Sequence, residues 1–427
     1  MRHVNNPSID QWGALCTRPT ASLDDVIPVV DEVFDAIQTQ GDQAIQRFSE
    51  KFDGYQPKSI EVVQNDLQNA QNELSANLKN AIDKAYENIY AFHKAQKTSR
   101  VQVEVQDGVS CWQEKRPIEK VGLYIPGGTA PLFSSILMLA IPATIAGCRE
   151  IVLCTPPNSS GTLDPAIRYA TFKCGVTRLF QVGGIQAIGG LTFGTESIPK
   201  VYKILGPGNQ YVTAAKQKAT QYGVSIDMPA GPSELLVVAD DTAVPSYVAA
   251  DLLSQAEHGV DSQVVLVSTS QKIIDEVQEE LQKQLIALPR KDIAAKALEN
   301  STAIYFDAES KAIDFINEYG PEHYIICMSN EEGFVAGVVN AGSVFIGNYT
   351  PESAGDYASG TNHTLPTNGY AKQYSGVNLD SFFKAITFQK ISAKGLQDLG
   401  PSIETLADAE GLFAHKNAVS VRLNDLK

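Results

Sequence analysis

The strongest constraint on the fold is an alternation that begins at Lys120 and runs to Gly347. Short apolar runs of strand character occur at 121–125, 150–154, 178–182, 200–204 and 224–226, with helical patterns such as 209–222 between them. A second series follows at 235–239, 263–267, 303–306, 323–327 and 343–346. Strand–helix–strand repetition of this kind predicts parallel sheets covered by helices on both faces. Two successive series predict two doubly wound α/β units.

The flanking segments read differently. Residues 23–51 carry Val26, Val29, Val30, Val33, Phe34 and Ile37 at helical spacing, and a second long helical pattern spans 66–97. Residues 101–116 switch to a period near two around Asp107-Gly108, the dipeptide of a tight hairpin turn. Residues 347–380 are rich in Gly, Ser, Thr, Asn and Tyr and read as a long polar loop, a length that points to function. The last segment returns to helix and strand, ending in a strand-like run at 418–423.

Charge and cysteine usage narrow the chemistry. Against 34 Lys plus Arg stand 49 Asp plus Glu, a net charge of −15 with no basic stripe, which argues against nucleic acid or an anionic membrane as partner. The longest apolar stretch, 136–147, is too short to span a bilayer and contains Pro142. The N-terminus MRHVNNPSIDQW lacks the apolar core of a signal peptide, so a cytoplasmic location is expected. The six cysteines form no C-x-x-C pair, so any metal site would use nitrogen and oxygen ligands. Cys148 and Cys154 flank a predicted strand and read as small buried hydrophobes, and no basic partner for a catalytic thiolate can be identified.

Several motifs could carry chemistry, each with a plainer reading beside it. Ile125-Pro126-Gly127-Gly128 and Gly206-Pro207-Gly208-Asn209 follow strands, where open α/β sheets place ligands, or they are ordinary tight turns. Asp227–Glu234 joins the two series, and Ser233 either contacts a ligand or caps a turn. In Leu253–Gly259, Gln255 and His258 share a face near the end of a predicted helix closed by Gly259, a spacing that suits two ligands to one cation. The alternative is that His258 meets the terminal carbonyls. Glu322-His323 follows a Gly-Pro turn, either as an acid/base pair able to address two atoms of one substrate or as solvated side chains. Gln255, His258, Asp356 and His415 form an oxygen/nitrogen set acceptable to zinc, although no local spacing ties the four together. His3 and His93 read as surface or structural.

Taken together, VGLYIPGGTAPLFSS (121–135), LGPGNQYV (205–212), IDMPAGPSELLV (226–237), DLLSQAEHG (251–259), GPEH (320–323), NAGSVFIG (340–347), DYASGTNHTLPT (356–367) and EGLFAHKNAV (410–419) resemble the histidinol dehydrogenases. The resemblance implies a homodimeric, zinc-dependent enzyme, with one zinc per subunit, that oxidises L-histidinol to L-histidine through the aldehyde with two NAD⁺ in succession. Carried over by position, Gln255, His258, Asp356 and His415 match zinc ligands, and Glu322 and His323 match the acid/base pair. Ser233, His363 and Glu410 match substrate contacts, with Gln255, His258, His323, Asp356 and His415 also facing the substrate. Tyr124, Gln186 and Asn209 match NAD contacts. The C-terminal segment, with Glu410 and His415, would complete the partner's site.

The expected architecture is two incomplete Rossmann-like domains. An arm at 1–23 precedes a discontinuous domain of 24–123 and 234–377; a NAD-contacting domain spans 124–233, and a dimerisation segment spans 378–427. Competing readings are a zinc hydrolase in which Glu322 activates metal-bound water, and a non-catalytic binding protein of the same architecture.

Overall fold

The computed structural model describes residues 1–19, 25–55, 59–127, 131–158 and 160–426. They fall into two compact units, Met1–Ala95 with Ile118–Phe382, and Gln96–Pro117 with Phe383–Lys427. The strands are β1 (Arg2–Asn5), β2 (Glu61–Val62), β3 (Val101–Gln106), β4 (Val109–Pro117), β5 (Lys120–Tyr124), β6 (Glu150–Cys154), β7 (Arg178–Phe180) and β8 (Lys203–Leu205). They continue as β9 (Ser225–Ile226), β10 (Glu234–Ala239), β11 (Gln263–Ser268), β12 (Thr302–Tyr305), β13 (His323–Cys327), β14 (Ser343–Ile346) and β15 (Phe383–Ile391).

The first unit holds both predicted sheets. One has the order β2-β7-β6-β5-β8-β9 and the other β1-β12-β11-β10-β13-β14. All pairings in them are parallel except that of β2 with β7. Apart from the edge strands β1 and β2, contributed by the N-terminal region, each sheet starts in the middle, at β5 or β10, builds outward one way and then returns to the other side, as in a doubly wound fold. β10 and β11 are buried at every position, so between their polar ends, Glu234, Gln263 and Ser268, they read as unbroken apolar runs. Alternate residues serve opposite cores: Leu235 and Val237 face one cluster, Leu236 and Val238 the other.

The helical N-terminal region departs from its sequence pattern in two places. Within 23–51, Gly41 (φ 53°) breaks the run into helices Ile27–Gln40 and Asp42–Asp53; Leu23 lies outside the described residues. Within 66–97 the chain forms Gln64–Asn69, a short 3₁₀ turn and Ala76–Ala95. Ile27–Asp53 also packs on a different sheet from the one expected. Val33, Phe34, Ile37 and Ile45 share a core with Tyr124, Val152, Phe180 and Ile204, while Phe34 meets Phe193 edge-on at 5.6 Å. β5 itself belongs to that sheet. The N-terminal strand β1, which pairs with β12, is too short and polar to stand out in the sequence.

The second unit is a three-stranded antiparallel sheet, β15-β4-β3, with helices Ala393–Ala409 and Phe413–Asp425. The Asp107-Gly108 hairpin forms as expected, with Gly108 at φ 76°. The strand-like 418–423 is instead helical. Its period of two spans only three apolar residues, Val419, Val421 and Leu423, and the neighbouring helix decides the outcome: Gly400 leaves room for Leu423, and Ser420 Oγ donates to Glu404. Because β15 pairs with β4 along its whole length, the hairpin and the C-terminal segment form one unit rather than a tail starting at 378. Val101, Val103, Leu406 and Phe413 all stand exposed on this unit.

Gly206 shows how tightly the turns at the strand ends are built. It has φ 132°, and a Cβ would lie 2.0 Å from the Tyr124 carbonyl oxygen. Gly206→Ala is expected to cost about 3 kcal/mol, seen as a loss of soluble protein or a thermal midpoint lowered by at least about 3 °C. A parental midpoint would contradict this packing.

Candidate active site

Gly320 (φ 61°) ends helix Glu309–Tyr319, and Pro321 feeds the chain straight into β13. Glu322 and His323 therefore stand at the amino end of the sheet's central strands, where His323 pairs with Leu235 of β10 and Ser343 of β14. Both side chains are buried. His323 Nδ1 is 3.3 Å from the Glu234 carbonyl oxygen, 3.5 Å from Glu352 Oε1 and 3.7 Å from Glu322 Oε2. Its buried Nε2 has no hydrogen-bond partner among the described residues; Asp356 Oδ1 stands 3.5 Å away.

The carboxylates are themselves held. Glu322 Oε2 accepts the Glu234 N–H at 2.9 Å, and Glu352 Oε2 accepts Ser254 Oγ at 2.9 Å. The Gln255 amide is assigned with its nitrogen donating to Glu352 Oε1 and its oxygen accepting the Glu234 N–H at 3.0 Å. Behind them Arg18 Nε donates to Glu234 Oε2 at 2.5 Å, and Arg18 Nη2 to the Tyr319 carbonyl at 2.6 Å. Both partners of this ion pair are buried, so removing one leaves an uncompensated charge. Arg18→Met is expected to destabilise the protein by about 3–5 kcal/mol in a denaturant titration; a change below about 1 kcal/mol would contradict it.

Helix Pro245–Ala256 ends before Gly259, so Gln255 sits in its last turn and His258 in the turn beyond, its N–H on the Gln255 carbonyl at 3.2 Å. The polar segment 347–380 is less irregular than its composition suggests. Glu352–Tyr357 is a helix, which puts Glu352 and Asp356 four residues apart on one face, and two 3₁₀ turns follow. His363 Nδ1 bonds the Asp356 carbonyl oxygen at 2.8 Å, and its Nε2 meets Ser135 Oγ at 3.0 Å. Ser135 lies on helix Phe133–Ala146 of the other sheet, so this segment ties the two sheets together at the site.

The electrostatics follow from burial among carboxylates. Burial works against the His323 imidazolium, but Glu322, Glu352 and Asp356 more than reverse this and lift its pKa to about 10. Burial raises Glu322 to about 7. Burial also raises Glu352, whereas the half-buried Asp356 is lowered by its contact with His323. His363 is lowered by burial, with Asp356 opposing, whereas the His258 side chain stands exposed.

These residues fit a divalent cation. The donor atoms of His323, Glu352 and Asp356 lie within 4.8 Å of one another, and the Gln255 amide adjoins Glu352. Glu352 was not among the expected site residues. Its only sequence signal is its spacing from Asp356. His415 and Glu410 belong to the second unit, both exposed, on helix Phe413–Asp425 and at the cap of Ala393–Ala409. Ser233 is half-buried, immediately before Glu234.

At the other sheet, the expected NAD contacts gather at carboxyl ends of strands, the crevice where such sheets bind ligands. Tyr124 ends β5, and its hydroxyl accepts the Gly184 N–H at 3.0 Å. Gln186 lies in the first turn after β7, and Asn209 caps the helix after β8 by accepting from Tyr211 and Val212 N–H at 3.1 Å each. Gly127 leaves room for Pro156, whose Cγ would be 2.2 Å from a Cβ there; Gly128 lies outside the described residues.

The sequence model of the histidinol dehydrogenase family matches residues 16–423. The chain belongs to the histidinol dehydrogenase family. A histidinol dehydrogenase of Bacteroides thetaiotaomicron is 54% identical over the full length of both chains. The chloroplastic histidinol dehydrogenase of Arabidopsis thaliana is 50% identical, covering 98% of this chain and 90% of the relative. The crystal structure of histidinol dehydrogenase from Elizabethkingia anophelis superposes with a TM-score of 0.97 at 53% identity, covering 100% of this chain and 98% of that one. The α/β architecture described above is thus the histidinol dehydrogenase fold.

Proposed function

We propose that this chain oxidises L-histidinol to L-histidine through L-histidinal, passing two hydrides in succession to two NAD⁺, with one zinc per subunit. The observation that carries the reading is His323, held among three carboxylates with its buried Nε2 3.5 Å from Asp356 Oδ1. Gln255, His258 and Asp356 would hold the zinc together with His415, and Ser233, His363 and Glu410 would contact the substrate. When bound, zinc supplies a fixed template for the substrate's amine and imidazole nitrogens. NAD⁺, reached through Tyr124, Gln186 and Asn209, supplies the hydride acceptor.

The chain's own residues supply the proton transfers. His323 takes the hydroxyl proton as hydride leaves carbon, which requires it to be neutral. The carboxylates alone favour imidazolium, and neutralising Asp356 with a cation weakens that preference. Glu322, titrating near neutrality, removes a proton from water as it adds to the aldehyde, and the hydrate then loses the second hydride. Burial of both groups keeps the aldehyde from bulk water.

His415 and Glu410, together with the exposed Val101, Val103, Leu406 and Phe413 of the second unit, support a homodimer in which that segment completes the partner's site. Six free cysteines, four of them buried, suit a reducing cytoplasm. Among the described residues no helix is long and apolar enough to cross a membrane.

The test is absorbance at the NADH band with purified protein, histidinol and NAD⁺. NADH should form, stop after chelation and resume with zinc. A flat trace from zinc-replete protein would favour the hydrolase reading instead.

A further inference from the structure

Gln186, one of the expected NAD⁺ contacts, carries a polar atom with no hydrogen-bond partner among the described residues. It is fully buried in the first turn of helix Gly184–Phe193, and the unpartnered atom is its Oε1. Its Nε2, in contrast, donates to Asp53 Oδ2 at 2.9 Å. Asp53 is the last residue of helix Asp42–Asp53, which Gly54 (φ 66°) closes, and it is exposed. Gly184 (φ 59°) makes the space for this arrangement, because a Cβ there would lie 2.9 Å from Gln186 Oε1. The Tyr124 hydroxyl lies on the same turn, accepting the Gly184 N–H.

A carboxylate accepts hydrogen bonds and an amide both donates and accepts. Asp53 therefore settles which way the Gln186 amide faces: the nitrogen is committed to Asp53, and the oxygen is left as a buried acceptor. A buried acceptor without a donor is costly, and a hydroxyl or amino group of a nucleoside supplies the missing partner. We propose that Asp53 is a positioning residue for the dinucleotide, fixing the Gln186 amide so that its Oε1 accepts a hydrogen bond from the bound nucleotide. This rests on the reading that NAD⁺ occupies the crevice of the β5–β8 sheet.

The test is calorimetric binding of NAD⁺ and, separately, of histidinol to the zinc-loaded protein, with thermal melting as a control. In Asp53→Ala, whose Gln186 amide is free to turn, NAD⁺ should bind about tenfold more weakly, the loss of one net hydrogen bond. Histidinol affinity and the melting temperature should stay at parental values. Asp53→Asn, whose amide oxygen can still accept from Gln186 Nε2, should restore NAD⁺ affinity to within about threefold. In a Gln186→Ala background, Asp53→Ala should have no further effect on NAD⁺. Unchanged NAD⁺ affinity in Asp53→Ala, a parallel loss of histidinol affinity and melting temperature, or an additive double variant would each overturn the proposal. A parent protein that fails to bind NAD⁺ would overturn the dinucleotide reading itself, and this inference with it.

Discussion

Glu322→Gln is expected to oxidise histidinol to the aldehyde at near the parental rate while oxidising supplied histidinal about 10²–10⁴-fold more slowly. The split follows from position and proton affinity. Glu322 is buried, titrates near 7, and has one oxygen on the Glu234 N–H, which Gln can still satisfy with its own carbonyl oxygen. The first oxidation needs a base at the hydroxyl, a role the proposed mechanism gives to His323. The second needs a base for water, and glutamine cannot act as one. The second step should also rise with pH through about 7, as Glu322 loses its proton, and this rise should vanish in the variant. Rapid-mixing kinetics with histidinol and histidinal separately would measure both steps. Equal losses in the two would contradict the assignment of Glu322 to the second half.

Asp356→Asn is expected to lower zinc affinity at least a hundredfold, about the upper range seen for lost outer-shell partners and a lower bound for a ligand itself. NADH formation should fall in proportion and recover only partly in excess zinc. Asp356 is the one expected ligand whose carboxylate is lowered and so stays charged at neutral pH; an amide keeps the shape but not the charge. Dialysed protein assayed for bound zinc and for rate gives the answer. Full metal content with full activity would remove Asp356 from the metal set.

Most of the fold was legible because parallel strands buried on both faces leave unbroken apolar runs. The ranges 150–154, 323–327 and 343–346 coincide with β6, β13 and β14. What was not legible depends on partners distant in sequence. Ile27–Asp53 shows an amphipathic pattern but nothing that says which sheet it covers. Residues 418–423 carry a strand period and become a helix because Ala393–Ala409 lies beside them. At the site, Gln255, Glu322, His323, Asp356 and His363 are brought into one neighbourhood, and their motifs were visible. Glu352 was not: its role comes from a single helical turn inside a segment whose composition reads as loop. Arg18 and Glu234 lie 216 residues apart and meet only because β10 runs through the centre of the sheet.

In the proposed mechanism one site carries the substrate through both oxidations without releasing the aldehyde. The most direct measurement is the NADH yield from limiting histidinol in the presence of an aldehyde-trapping amine. Two NADH per histidinol, with histidine as product and no trapped aldehyde, is the expected result. One NADH per histidinol with the aldehyde recovered in the trap would contradict it.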